Sequence, residues 1–341
     1  MAHQSLYRAY RPQTFAEVLG QDQVLGPLSE QLQSGKVAHA YLFAGSRGLG
    51  KTSVARLFAK ELGTSEKDLY EIDAASNNSV EDIRSLTENI HTLPFDSKYK
   101  IYILDEAHML SKGAWNAFLK TLEEPPAYAI FILATTELEK VPETVRSRCQ
   151  VFEFRRPSRE GLVKLVSTVA AAEGYTLEAS AAELVAILAD GSYRDALSVL
   201  EKVFAATSGK KVTREEAERA TGAPKSEIVF SLVSALHEGN TGAALMAISK
   251  AEREDVDMAL YTMLVLEQVR TVLLLRHAPE LRASLKQELG EDHGTLEEIA
   301  LGTDSRLSHK TLKSLLDAAA QIRYAPVPAL ALELAVMELA A

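Results

Sequence analysis

This sequence predicts a doubly wound α/β domain built on a parallel five-stranded sheet, followed by an all-helical remainder. Three observations carry that prediction. Five short apolar runs alternate with helical patterns through the first half of the chain. The first run passes through a glycine-rich loop directly into a helix. Beyond Arg155-Arg156-Pro157 the alternation stops, and almost only helical periodicity remains. Strands alternating with helices of roughly 10–15 residues imply crossover units and a parallel sheet.

The elements follow in order. AYLFAG (Ala40–Gly45) is the first apolar run and leads into the helical pattern KTSVARLFAKEL. LYEIDAA (Leu69–Ala75) is the second, followed by the amphipathic VEDIRSLTENIHTL. KIYILDEAH (Lys100–His108) is the third, and its helix, GAWNAFLKTLEE, is stopped by Pro125 and Pro126. AIFILATT (Ala129–Thr136) and CQVFEF (Cys149–Phe154) complete the set. The central runs are apolar nearly throughout, as strands covered on both faces require. From Ser158 onward come three helical segments, REGLVKLVSTVAAAEG, SAAELVAILADG and YRDALSVLEKVFAAT, each ending near glycine or a polar turn. A second boundary lies near Thr221-Gly222-Ala223-Pro224. Beyond it are a long apolar-striped helix around Met258–His277 and a helical segment from Leu312 to Ala341, broken at Pro326 and Pro328.

Composition bounds the function. Over 341 residues, 47% hydrophobic and 25% charged side chains describe an ordinary globular protein. At roughly 150 residues per domain, that length predicts two or three domains. Thirty-seven Lys and Arg against 47 Asp and Glu leave a formal net charge of −10. That balance argues against a general nucleic-acid coat but leaves room for a local basic surface. The single cysteine, Cys149, can form neither an internal disulfide nor a cysteine-based zinc site, and a cytoplasmic setting is expected. The opening MAHQSLYRAYRPQTF has no apolar run of signal-peptide length, and no uncharged apolar stretch approaches about 18 residues. The protein is therefore expected to be neither secreted nor membrane-spanning.

GSRGLGKT matches G-x-x-x-x-G-K-[ST], with a strand before it and a helix after it. The residues concerned are Gly45, Ser46, Arg47, Gly48, Leu49, Gly50, Lys51 and Thr52, with Ser53 next on the helix. Glycines let the backbone curl so that several N–H groups point at one phosphate chain, and the helix N-terminus adds partial positive charge. Lys51 is expected to reach the β- and γ-phosphates, and the Thr52 hydroxyl to ligate Mg²⁺. Asp105 and Glu106 follow directly on the apolar run IYIL. Asp105 is placed to hold the Mg²⁺, and Glu106 to orient and deprotonate an attacking water. At the end of the next run, Thr135 or Thr136 offers a hydroxyl to the γ-phosphate or its water, with Thr136 favoured. Arg148, after the short helix VPETVR, is either an ordinary solvated arginine or a finger supplied to a neighbouring subunit. Arg194 starts a helix from which it could reach back over the nucleotide.

The combination of YRAYRPQTFAEVLGQDQV, HAYLFAGSRGLGKTS, EIDAASNNSVEDIR, YILDEAHMLSKGAWNAFLKTLEEPP, ILATTELEKVPETVRSRCQVFEF and ADGSYRDALSVLEK resembles AAA+ ATPases. More narrowly, it resembles the gamma/tau clamp-loader family of bacterial DNA polymerase III. These segments cover most of residues 4–204. The resemblance implies an AAA+ P-loop NTPase of three parts: a RecA-like ATP-binding domain (1–156), a small helical lid (157–222) and an all-α collar for oligomerisation (223–341). It makes Gly45–Thr52 the Walker A loop, Asp105 and Glu106 the Walker B pair and Thr136 sensor 1. It also makes Arg148 the SRC-motif finger acting in trans and Arg194 sensor 2. Tyr7, Tyr10, Arg11, Pro12, Val18 and Leu19 then wrap the adenine. ATP and Mg²⁺ are the implied ligands. The implied partners are other subunits of a five-membered ring (copies of this chain with delta- and delta-prime-type subunits), a sliding clamp and primed DNA.

One departure is plain. The family usually carries a four-cysteine zinc insertion before the DAAS strand, whereas GTSEKD (Gly63–Asp68) runs straight across that place, so zinc is expected to be absent. Family members can also continue past the collar into segments that bind helicase and polymerase, functions expected to be missing from a chain ending at 341. Asn77, Ser79, Lys112 and Lys120 lie at or near helix starts on the elements that face DNA in the family. His39, His91 and His108 fit no ligand spacing and are assigned ordinary packing or surface roles. Trp115 is expected in the core. The leading expectation is a motor that loads the clamp. A nucleotide-loaded structural ring subunit without turnover, or another AAA+ DNA-remodelling factor, are the alternatives.

Overall fold

The five apolar runs form five parallel strands: β1 (Ala40–Ala44), β2 (Leu69–Asp73), β3 (Lys100–Asp105), β4 (Ala129–Thr135) and β5 (Gln150–Glu153). Their spatial order is β2-β3-β4-β1-β5. This computed structural model describes residues 4–282, 292–302 and 305–340. Helices α1 (Leu6–Ala9), α2 (Asp22–Ser34), α3 (Lys51–Glu61), α4 (Val80–Ile90), α5 (Lys112–Glu123) and α6 (Glu143–Arg146) accompany the sheet.

Side-chain alternation along the strands sorts the core into two layers. Tyr41 and Phe43 of β1, Ile101 and Ile103 of β3, and Ile130 and Ile132 of β4 pack with Val54 and Phe58 of α3 and Leu28 of α2. Leu42, Tyr102, Leu104, Phe131 and Leu133 point the other way, against Ile83 and Ile90 of α4 and Trp115 and Phe118 of α5. Trp115 is in the core, as its helical position predicts. Covering both faces is why these strands read as continuous apolar runs.

The strands are shorter than the apolar runs at their C-terminal ends. The third run was expected to extend to His108, but β3 stops at Asp105, because Glu106 takes a left-handed φ of 48° and a 3₁₀ turn follows over Ala107–Met109. Likewise β2 ends at Asp73, and β4 ends at Thr135. Ala74 still donates its N–H to the Asp105 carbonyl at 2.9 Å, while Glu106–His108 lie in the turn that follows β3.

Two compact units divide the chain. The first holds the residues up to Leu162 together with Ala189–Ser198, and the second holds Val163–Leu188 and the chain from Val199 onward. In the second unit the expectation of almost purely helical structure needs one correction: Thr176–Leu177 pairs in parallel with Lys211–Val212. Two-residue strands are too short to leave a periodicity in sequence. The long helix Met258–His277 packs against Ser226–Glu238, Asp292–Leu301 and His309–Gln321. Among the described residues it is the one helix long and apolar enough to cross a membrane, yet half of it is buried within the bundle, as a core helix would be.

Candidate functional site

The strand register brings the motif residues to one edge of the sheet. Ala44 of β1 lies opposite Thr135 of β4, and Asp73 of β2 opposite Asp105 of β3. The glycine-rich loop leaves β1 at this edge, where doubly wound sheets bind ligands. Lys51 opens α3 and is 6% exposed. Its Nζ donates to the carbonyls of Gly45 (2.6 Å) and Ser46 (2.9 Å), folding the ammonium into the curl of the loop. Burial holds its pKa below the ordinary lysine value, while the charges of Glu106 and Asp105 pull it back up. An ammonium desolvated in this way gains from an incoming polyanion. Of the remaining loop residues, Leu49 is buried in the core beside β1, Arg47 is exposed, and Ser53 is half-buried on the first turn of α3.

The Thr52 hydroxyl donates to Asp105 Oδ2 at 2.8 Å, and the Glu106 amide donates to Asp105 Oδ1 at 3.0 Å. A hydroxyl and a carboxylate converging beside a phosphate-type loop form a hard oxygen donor set, which fits Mg²⁺. The left-handed backbone at Glu106 turns its side chain toward β4, where the Thr136 hydroxyl donates to Glu106 Oε2 at 3.1 Å. Of the two threonines, Thr136 meets the glutamate. Thr135 is fully buried and accepts from the Glu137 amide at 3.0 Å.

His108, assigned an ordinary role from sequence, belongs to this cluster. Its Nδ1 lies 3.2 Å from Thr135 Oγ1 and 3.5 Å from Glu106 Oε2, and its Nε2 lies 3.3 Å from Glu137 Oε1. Spacing could not find it, because its partners come from β4 and the loop that follows.

The segment Ala189–Ser198 closes over the glycine-rich loop. Tyr193 donates its amide to the Gly48 carbonyl at 3.2 Å and its hydroxyl to the Leu19 carbonyl at 2.7 Å. The Arg194 guanidinium sits 4.7 Å from the centre of the Tyr7 ring. Tyr7, Leu19, Gly48 and Arg194 therefore gather in one place. Tyr10 closes the C-terminus of α1, and the Arg11 carbonyl accepts from the Gln13 amide group at 2.9 Å in the turn that also contains Pro12. Val18 packs beside the α2–α3 core layer. Gln21, not foreseen, is fully buried; its amide group pairs with both the N–H and the C=O of Arg155, at 3.1 and 2.8 Å. That pairing ties the amino-terminal segment to the strand leaving the sheet.

Other expected residues lie away from this cluster. Arg148 donates to Glu123 Oε1 (2.6 Å) and to the Thr144 carbonyl (2.7 Å), on α5 and α6. The Asn77 side chain donates to the Asp73 carbonyl at 2.9 Å. Ser79 caps α4 in a reciprocal box with Asp82. Lys112 opens α5, but Lys120, expected at or near a helix start, lies in that helix's last turn because α5 runs on to Glu123; both are exposed.

The family profile described as DNA polymerase III, delta subunit, matches residues 20–78 and 64–158. The clamp loader ATPase lid domain of DNA polymerase III matches 162–209, and domain III of the gamma and tau subunits matches 212–341. DNA polymerase III subunit tau of Bacillus subtilis is 40% identical over 308 residues, which are 84% of this chain and 54% of that protein. DNA polymerase III subunit gamma of Buchnera aphidicola is 33% identical over 302 residues, 82% of this chain and 83% of its own. The chain belongs to the gamma/tau family of DNA polymerase III. It spans about half the length of the tau relatives it matches, 54% for the Bacillus protein. Its fold is that of the RuvB Holliday junction branch migration motor of Thermotoga maritima, which superposes with a TM-score of 0.54 at 20% identity, over 85% of this chain and 88% of that one. In this gamma/tau family member the sheet edge just described is the candidate ATPase site.

Proposed function

We propose that this gamma/tau family member is the ATPase motor subunit of a DNA polymerase III clamp loader, using ATP binding and hydrolysis to load a sliding clamp onto primed DNA. The observation that carries this reading is the convergence of Lys51, the Thr52–Asp105 pair and the Glu106–Thr136 pair at one sheet edge. A subunit that merely held nucleotide would have no need of a water-activating carboxylate held by a hydroxyl from the neighbouring strand.

The roles follow from position. Loop amides from Gly45 to Gly50 and the N-terminus of α3 receive the phosphates, and Lys51 leaves its two carbonyls to pair with the β- and γ-oxygens. Bound Mg²⁺, held by Thr52 and Asp105, supplies neutralisation of phosphate charge. Glu106 takes the proton of the attacking water while Thr136 steadies its carboxylate. Tyr7, Tyr10, Arg11, Pro12, Val18 and Leu19 enclose the base. Arg194 exchanges the Tyr7 ring for the γ-phosphate, a contact worth about 0.5–1 kcal/mol at an exposed site. Arg148 completes the site of a neighbouring subunit. Its pair with Glu123 is open to solvent, 34% and 50% exposed, and such pairs are worth roughly 0–1 kcal/mol, so releasing it is inexpensive.

ATP binding then favours the tight ring that holds an open clamp, and hydrolysis at the primer–template junction releases it closed. A nucleotide shifts such an equilibrium only by its differential affinity for the two assemblies. Asn77, Ser79, Lys112 and Lys120 are assigned to the DNA backbone, the first three with helix N-termini helping. The chain works in the cytoplasm as a RecA-like domain (1–156), a lid (157–222) and a collar (223–341), without zinc, beside delta- and delta-prime-type subunits.

The test is the ATPase rate of the chain assembled with its partner subunits, with and without clamp and primed DNA, for wild type and Arg148→Ala. Strong stimulation that disappears in the variant, with nucleotide affinity kept, supports a motor with sites completed in trans. A rate indifferent to clamp, DNA and Arg148 overturns the reading.

A further inference from the structure

We infer that His108 is a positioning residue for hydrolysis: it sets the orientation of Glu106 by packing between that carboxylate and the end of β4. The inference rests on the reading of Glu106 as the base.

The imidazole is 7% exposed and has polar partners on both nitrogens. Nδ1 faces Thr135 Oγ1 at 3.2 Å and Glu106 Oε2 at 3.5 Å, while Nε2 faces Glu137 Oε1 at 3.3 Å. These partners belong to two adjacent strand ends, so the ring bridges the strand carrying Glu106 and the strand carrying Thr136. Proton positions follow from the partners. The Glu137 amide donates into Thr135 Oγ1, which leaves the Thr135 hydroxyl proton free to be donated in turn. A carboxylate only accepts, so Nε2 carries a proton toward Glu137. In the neutral ring Nδ1 is then the acceptor of the Thr135 proton, and its single lone pair is used there, so the ring meets Glu106 as a packed edge.

One consequence follows for the base. Oε2 of Glu106 receives the Thr136 hydroxyl, at 3.1 Å. The ring edge, 3.5 Å from Oε2, and the Thr136 proton together confine the carboxylate, so it stays where a water on the γ-phosphate would be. The pattern is that of a buried imidazole whose far nitrogen is fixed by a carboxylate so that its near nitrogen presents one defined state.

Four variants in the assembled complex test this: Glu106→Gln, His108→Ala, His108→Asn and His108→Gln. Asparagine places a polar atom near the site of Nδ1, whereas glutamine places one near Nε2. The expected result is that His108→Ala lowers kcat by about 10–100-fold, the usual effect of removing an outer-shell partner. Its KM for ATP and its affinity for a non-hydrolysable ATP analogue stay at the wild-type values. His108→Asn recovers most of kcat and His108→Gln does not. A wild-type kcat in His108→Ala, a fall in analogue affinity alongside kcat, or equal recovery by both amides overturns the inference. Should the alanine variant fail to fold, the asparagine–glutamine contrast decides alone. Full turnover in Glu106→Gln removes the reading of Glu106 on which the inference stands. Loss of turnover there with full turnover in His108→Ala removes the inference only.

Discussion

Replacing Gly48 by alanine tests how the glycine-rich loop is held. Gly48 has φ of +76°, a region that costs an L-residue about 1–2 kcal/mol. A Cβ there would run into Ser192 Oγ and lie 3.1 Å from Ser192 Cβ and 3.3 Å from Arg194 Cβ. Ser192 cannot simply turn aside, because its hydroxyl accepts the Asp195 amide at 3.1 Å at the start of that helix. Overpacking of this kind adds about 1–3 kcal/mol, for about 2–5 kcal/mol together with the strain above. Gly35 provides the reference: its φ is +67°, and nothing lies within 4 Å of a Cβ built there. Gly35→Ala should therefore cost the strain alone, a fall in Tm of about 2–8 °C at roughly 2–4 °C per kcal/mol. Gly48→Ala should lose more and should bind an ATP analogue more weakly, because the Tyr193–Gly48 hydrogen bond opens with the clash. Adding Ser192→Gly removes the obstructing atoms for only a few tenths of a kcal/mol at a cap position, and should restore the clash component. Calorimetry and analogue titration on the four proteins decide the matter. Equal losses in Gly35→Ala and Gly48→Ala, or no recovery in the double variant, would refute the reasoning.

Two further outcomes follow from polar groups on the first unit. Thr52→Val deletes the hydroxyl that pairs with Asp105, so the Mg²⁺ concentration needed for half-maximal ATPase should rise at least tenfold, in line with loss of a ligand partner, with the fold intact by circular dichroism. Asp68 is buried where burial alone would raise its pKa. Amides from Phe95, Asp96 and Ser97 and the Ser97 hydroxyl overcome that and hold it down at about 2. A depressed folded pKa contributes stability present above the ordinary carboxylate value and lost as pH falls toward about 2. Thermal melts between those limits should show it, and Asp68→Asn should flatten that dependence while costing about 1–3 kcal/mol at neutral pH. An unchanged acid limb in Asp68→Asn would show that another group carries it.

Much of the candidate site was legible because its chemistry is local in sequence. Lys51 and Thr52 follow the loop by a fixed spacing, and Asp105 and Glu106 follow an apolar run that could only be a covered strand. His108 was not legible: a histidine three residues past a strand end has no distinguishing period, and its partners are Thr135 and Glu137 on another element. Gln21 and Asp68 escaped for the same reason, since each is buried against backbone groups brought up by distant segments. Strand ends were overrun because apolar character continues past them, as at Ala74 and Ala107, both fully buried outside the strands.

Sequence by itself determined the class of the fold, the two-sided burial of its central strands, the phosphate-type loop and the acidic pair, because each depends on neighbours along the chain. Tertiary structure alone decided the strand order, which sets β1 between β4 and β5 and so brings the loop beside Thr135. It also decided that residues 189–198 pack with the sheet unit, putting Tyr193 on Gly48 and Arg194 over Tyr7. Those pairings join residues more than a hundred positions apart, and only the closing of the core chooses which distant hydrogen-bond donors and acceptors meet.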